Sequence, residues 1–406
     1  MKITKIILTL TIILNIHCYA KQNNRNTEVY NDNKQGQQAE RKEVKLGIER
    51  SQEYLPFLKE KNVALVVNQT SQINGKHLVD ILIEEKINVK NIFAPEHGFR
   101  GKADAGEKIA NGKDSKTGLP IISLYGSHKK PSPEDLKDIE IVVFDIQDVG
   151  ARFYTYISTL HYVMEACAEN NIKVLVLDRP NPNGHYVDGN VLDMKFKSFV
   201  GMHPIPIVHG MTIAEYAKMI NGEKWLKNGI QCDLEIVKCE SYDRNIPYDL
   251  PIKPSPNLPN AKSINLYPSI CFFEGTQISV GRGTEFPFQV MGAPKSKNLK
   301  NSFVFYPKST SGAKYPKHEN QTCNGFDLRE EKTLNEINLD YLLKMYNFYE
   351  DKENFFLKNN FIDKLAGTDQ LRKDIIAGKT AKEIKASWQP ELNKFKKTRA
   401  KYLLYK

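Results

Sequence analysis

Only 6 of the 406 residues are cysteine and 2 are tryptophan, and no two cysteines stand in C-x-x-C spacing. That spacing argues against a zinc site. Cys167, Cys232, Cys239, Cys271 and Cys323 form an odd set that reads as buried thiols; Cys232 and Cys239 would bridge only if they fell on neighbouring strands. No G-x-G-x-x-G follows the first strand candidate and no G-x-x-x-x-G-K-[ST] occurs, which disfavours a nucleotide cofactor. Neither H-E-x-x-H nor G-x-S-x-G is present, so a zincin or a serine hydrolase lacks its signature. The only long apolar run covers residues 6–16, short of the roughly 20 residues that span a bilayer. A polytopic membrane protein is excluded.

What is present is an ordinary globular composition, 40% hydrophobic and 26% charged, with mean hydropathy −0.49 and enough length for two cores. Of the formal charge of +10, residues 377–406 supply +7, from eight Lys and one Arg against two Glu. The basicity is local and does not point to nucleic acid. Lys2 and Lys5 precede the apolar run and Cys18-Tyr19-Ala20 follows it, the charged, apolar, small-residue order of a secretory signal over residues 1–20. The chain is therefore expected to be exported, either as a periplasmic protein cleaved after Ala20 or as a lipoprotein attached to a membrane through a lipidated Cys18. Residues 21–42 hold nine Asn or Gln and almost nothing apolar; such a segment cannot bury enough surface to offset chain entropy and reads as a tether.

From 43 to about 245 short apolar runs alternate with helix-period segments. The strand candidates are 62–67, 89–94, 120–124, 140–146 and 173–177; strict apolar/polar alternation is absent, and 141–144 and 174–177 are continuous apolar runs. Continuous runs are the mark of parallel strands covered on both faces. Between the last two, Ile157, Leu160, Met164 and Cys167 recur at helical spacing within 155–170, giving a βαβ unit and a Rossmann-like, mostly parallel α/β sheet. Thr212-Ile213-Ala214-Glu215 is a capping box that opens another helix. Prolines 247, 251, 254, 256, 259 and 268 then break the chain, and a second α+β domain is expected over 246–406, with helices at 334–349 and 380–392.

In an open parallel sheet the ligand lies beyond the carboxyl ends of the strands. Those ends carry Asn68, then Glu96, His97 and Arg100, then Asp145, Gln147, Asp148 and Arg152, then Asp178 and Arg179. A metal centre from His97, His209, Asp145 and Asp148 is conceivable, but hydrogen-bonded histidines are the simpler reading. The second domain adds Asn257, Glu274 and Arg282, with glycines beside Glu274 and Arg282 suited to tight turns and close backbone approach. If the two domains face each other across a cleft, Glu96 and Glu274 form a pair of carboxylates of the kind glycoside hydrolysis uses. Tyr154, beside Phe153 and Tyr156, offers a stacking surface for a sugar ring.

The segments Ala94-Pro95-Glu96-His97-Gly98-Phe99-Arg100-Gly101, Phe144-Asp145-Ile146-Gln147-Asp148-Val149-Gly150-Ala151-Arg152, Leu177-Asp178-Arg179-Pro180-Asn181-Pro182 and Phe273-Glu274-Gly275-Thr276 closely resemble the exo-β-N-acetylmuramidase family, glycoside hydrolase family 171. The resemblance runs from about residue 47 to 405, including the tail Tyr402-Leu403-Leu404-Tyr405. It implies a Rossmann-like domain joined to a second domain with the active site in the cleft between them, and release of N-acetylmuramic acid from non-reducing ends of peptidoglycan fragments. It also implies that Glu96 is the proton donor. The second catalytic function is left among Glu274, Asp145, Asp148 and the substrate's own 2-acetamido oxygen. The lactyl carboxylate of the substrate calls for a cation, and Arg152, Arg100, Arg179 and Arg282 are the candidates. No organic cofactor is expected, and the partner is a muramyl glycan. The competing classes are a non-catalytic muramyl-glycan-binding lipoprotein and a metal-dependent hydrolase.

Overall fold

A computed structural model describes residues 43–96, 98–99, 111–296 and 302–406. The signal, the tether and Cys18 lie outside the described residues, as do His97 and Arg100. Residues 43–406 form one compact unit.

The sheet strands are β1 (Asn62–Val67), β2 (Asn88–Ala94), β3 (Gly112–Lys113), β4 (Pro120–Ser123), β5 (Ile141–Asp145), β6 (Lys173–Leu177) and β7 (Leu234–Val237), in the spatial order β3-β4-β2-β1-β5-β6-β7. All pairs are parallel except β3 with β4. The apolar runs make sense on this frame. Side chains alternate across a strand, and here both faces are covered. Ala64, Val66, Phe93, Val142, Phe144, Val174 and Val176 enter one core with helices α3 (Tyr156–Glu169) and α4 (Ile213–Gly222), while Val63, Leu65, Ile92, Val143, Leu175 and Leu177 enter the other with α1 (Ser51–Leu58) and α2 (Leu78–Glu84). The strand order reverses at β1, whose neighbours are β2 and β5. The crevice beyond that point is where such sheets bind ligands, and it is flanked by Asn68, Glu96 and the loop after Asp145.

The second domain has an antiparallel sheet of β8 (Val290–Ala293), β9 (Phe303–Phe305) and β10 (Cys323–Asp327), ordered β8-β10-β9. Its helices are α5 (Ala261–Ile270), α6 (Asp340–Phe348), α7 (Phe361–Ala366), α8 (Gln370–Ile376) and α9 (Ala381–Ala400). Its apolar residues continue the first core without a break: Phe153 and Tyr154 share a cluster with Leu258, Tyr267, Phe272 and Leu365.

Two helices differ from expectation. The segment before α6 is not helical because its backbone donors are taken by side chains: Leu334 N–H by Asn265 at 2.7 Å and Ile337 N–H by Asp188 at 2.7 Å. Helix α9 runs past Pro390 to Ala400, since the buried stripe Ile384, Trp388, Leu392, Phe395 continues beyond the proline, and packing there outweighs one lost hydrogen bond. Cys232 and Cys239 are unbridged, as are the other described cysteines. They flank the two ends of a single strand, β7, and so cannot meet.

Candidate active site

Strand β2 delivers Glu96 into a turn, where Gly98 N–H donates to the Pro95 carbonyl at 2.9 Å. Its carboxylate accepts hydrogen bonds from Tyr125 Oη at 2.9 Å and Thr155 Oγ1 at 2.7 Å. Thr155 is the residue that opens α3, and Tyr125 follows β4.

Glu274 arrives differently. After α5 the chain makes a 3-10 turn, Cys271–Gly275, that presents Glu274 beside Arg282, whose Nε donates to Oε1 at 2.9 Å. Arg282 sits between Gly281 and Gly283, both at positive φ (78° and 79°). A Cβ at Gly281 would lie 2.5 Å from Val290, and one at Gly283 would lie 2.4 Å from the Lys308 carbonyl. The turn aiming the guanidinium at Glu274 therefore requires glycine on both sides. Below it Lys317 Nζ donates to the carbonyls of Phe273, Thr276 and Ile278. Burial alone would push the Glu274 carboxyl up, but the Arg282 guanidinium and the Lys317 ammonium hold it below the ordinary glutamate value. Lys317 is itself pushed down to about 8 by burial.

Glu96 and Glu274 line one cavity of about 500 Å3. Its apolar wall includes Phe153, Tyr154, Phe199, Tyr267 and Phe288, and Tyr125, Lys129, Thr155, Asn257 and Arg282 also line it. The rings brace one another edge to face: Phe153 on Tyr267 at 5.2 Å and Tyr267 on Phe288 at 5.0 Å between centroids. Tyr154 Oη is tied to the Pro254 carbonyl at 2.9 Å and Asn257 Nδ2 to the Gly312 carbonyl at 2.6 Å, so both side chains are held in fixed orientations.

The remaining described residues expected at the site are not in its lining, and most have partners that occupy them. Arg179 grips Asp145 through Nε (2.6 Å) and Nη2 (3.0 Å), and Asp145 is fully buried. Each satisfies the other, which leaves Asp145 unsuited to catalysis and Arg179 unsuited to a substrate carboxylate. Arg152 is likewise fully buried. Its guanidinium donates to the carbonyls of Asn190, Ile205, Leu365 and Ala366 at 2.9, 2.8, 3.1 and 2.5 Å. It is a structural clamp between the two domains. Asp178 accepts from Thr212 Oγ1 (2.8 Å), Ala214 N–H (3.0 Å) and Tyr405 Oη (2.6 Å), anchoring α4 and the C-terminal tail. Gln147 donates to the carbonyls of Asp148 and Pro180, and Asn68 Oδ1 accepts from Thr70. Asp148 and His209 are buried with Nε2 and Oδ2 3.8 Å apart. Burial pushes the Asp148 carboxyl up to about 7 and His209 down to about 3. No group of three or more metal-ligating side chains occurs among the described residues.

Sequence reasoning missed Tyr125, Lys129, Phe199 and Lys317. Tyr125 follows the 120–124 strand candidate and was accessible to the rule already applied to four other strand ends. The other three stand in no motif.

Residues 63–262 match the N-terminal family model of the exo-beta-N-acetylmuramidase NamZ, and residues 265–405 match its C-terminal model. The chain belongs to the NamZ exo-β-N-acetylmuramidase family. Its relatives include the peptidoglycan beta-N-acetylmuramidase NamZ of Bacillus subtilis (strain 168), 41% identical over a 391-residue alignment that covers 91% of this chain and 93% of that protein. Two crystal structures of DUF1343 family proteins from Bacteroides fragilis NCTC 9343 share the fold. One has TM-score 0.82 at 48% identity and covers 90% of this chain and 99% of its own; the other has TM-score 0.78 at 31% identity and covers 89% and 99%. Glu96 falls within the first NamZ match and Glu274 within the second.

Proposed function

We infer that this chain is an exo-acting β-N-acetylmuramidase that releases N-acetylmuramic acid from the non-reducing ends of peptidoglycan fragments. The observation that carries the reading is the pair Glu96 and Glu274 on one aromatic-walled cavity, with Tyr125 and Thr155 donating to Glu96 and with the Arg282 guanidinium and the Lys317 ammonium holding Glu274 below the ordinary glutamate value. Two carboxyl groups on one cavity, one giving a proton and the other remaining a carboxylate, are what glycosidic cleavage uses. Glu96 gives its proton to the glycosidic oxygen as the bond to the anomeric carbon breaks. Glu274 remains a carboxylate and offsets positive charge at the ring. Attack on the anomeric carbon falls to the substrate's 2-acetamido oxygen, and Glu96, now ionised, takes the proton of the water that completes hydrolysis. Tyr154 and its aromatic neighbours supply the apolar face against which the sugar ring packs.

Incubating the purified protein with a chromogenic N-acetylmuramic acid glycoside and identifying the released sugar tests the activity. Inhibition by a muramyl thiazoline, together with retention at the first-formed anomer, tests the acetamido route; inversion returns the second role to a protein carboxylate. Residues 1–42 add the proposal of export, with Cys18 as a lipid anchor or Ala20 as the cleavage point.

A further inference from the structure

N-acetylmuramic acid differs from N-acetylglucosamine by a lactyl ether that ends in a carboxylate. A site that selects the muramyl sugar therefore needs a cation whose charge the protein has not already spent. Most of the described basic residues around the cavity fail this test. Arg152 and Arg179 are buried in contacts of their own, Arg282 is matched by Glu274 at 2.9 Å, and all three Lys317 donors are used by backbone carbonyls. Lys130 is held by Glu165 at 2.8 Å and Glu169 at 2.7 Å.

Lys129, its sequence neighbour, lines the cavity and behaves differently. Its Nζ stands 4.8 Å from the centroid of the Phe199 ring, and no described carboxylate or carbonyl takes its donors. A cation over an aromatic face is held in place without having its charge cancelled. Phe199 in turn packs edge to face against Tyr125 at 6.4 Å, and Tyr125 donates to Glu96. The loop after β4 thus carries on one wall both a donor to Glu96 and an unanswered ammonium.

We propose that Lys129 is the specificity-determining residue of this site, binding the lactyl carboxylate of the muramyl sugar. The proposal rests on the muramidase reading above. A charge-assisted hydrogen bond contributes about 1.5–3 kcal/mol, or roughly 10- to 100-fold.

The test compares wild type, Lys129→Met and Lys129→Arg on chromogenic N-acetylmuramic acid and N-acetylglucosamine glycosides, and on the muramyl glycoside with its lactyl carboxylate methyl-esterified. Wild type should prefer the muramyl sugar. Lys129→Met should lower that preference roughly 10- to 100-fold, mainly through KM, and Lys129→Arg should restore part of it. Esterification should cost wild type the same preference and leave Lys129→Met nearly indifferent; this substrate-side arm does not depend on how the variant folds. Undiminished muramyl preference in Lys129→Met, or equal sensitivity of both proteins to the ester, overturns the role of Lys129 while the muramidase reading stands. Wild type inactive on the muramyl glycoside overturns both.

Discussion

Replacing Arg152 by Met should destabilise the protein without weakening its hold on substrate. Four carbonyls share the Arg152 guanidinium, but two of them have a second donor. Ile205 O also accepts Leu192 N–H at 3.1 Å, and Ala366 O also accepts Asn190 Nδ2 at 2.7 Å. The carbonyls of Asn190 and Leu365 lose most, at about 1–3 kcal/mol each for a buried acceptor left without its donor. An opposing contribution is present. Burial pushes the Arg152 guanidinium down to about 9, which means that keeping it charged there is costly, and Met removes that cost. The balance is a loss of about 2–4 kcal/mol. Urea denaturation reads it, and steady-state kinetics at urea concentrations well below the transition should show KM within about threefold of wild type. Wild-type stability combined with a KM raised tenfold or more would mean that the guanidinium binds substrate, and the clamp argument would fail.

Arg282→Gln should move the acidic limb of the kcat/KM profile to higher pH. Arg282 helps hold Glu274 below its ordinary value, so without it burial leaves less of the carboxylate ionised at a given pH; a limb that stays in place argues against a role for ionised Glu274. Asp148→Asn should expose the opposite linkage. Asp148 is raised by burial to about 7 in the fold against about 4 unfolded, so its contribution to stability is present below the lower value and lost as pH rises through the upper. The stability of wild type relative to Asp148→Asn should therefore fall between those limits, and a pH-independent difference would contradict the assignment. Cell fractionation should place the wild-type protein outside the cytoplasm. Cys18→Ala should release it from membranes if that cysteine is lipidated, and uncleaved chain in the cytoplasm would refute export.

The sheet was legible because its signal is local. Residues 62–67 and 173–177 are strands to the residue, and the apolar run at 141–144 makes up the first four of the five residues of β5, since double coverage by helices demands apolar side chains on both faces. The capping box at Thr212 likewise fixes the start of α4, with Glu215 N–H donating to Thr212 Oγ1. Strand β7 was missed because its two polar-flanked faces are only partly buried and its run is short. At the site, Glu96 and Glu274 stood out through their motifs. The arginines did not declare their roles, because a guanidinium that clamps four carbonyls and one that meets a ligand look alike in sequence. Lys129 and Lys130 make the point sharply: adjacent and chemically identical, they differ only in whether α3 supplies Glu165 and Glu169 to meet them. That is decided by tertiary packing and is invisible along the chain.

The most direct measurement is the rate of N-acetylmuramic acid release by wild type and Glu96→Gln from two substrates, a natural muramyl disaccharide and an aryl muramyl glycoside with an acidic leaving group. If Glu96 is the proton donor, the variant should lose roughly two to four orders of magnitude in kcat on the disaccharide. It should lose much less on the aryl glycoside, whose leaving group departs without protonation. Release by the variant within a few fold of wild type on the disaccharide, or an equal loss on both substrates, would contradict the account.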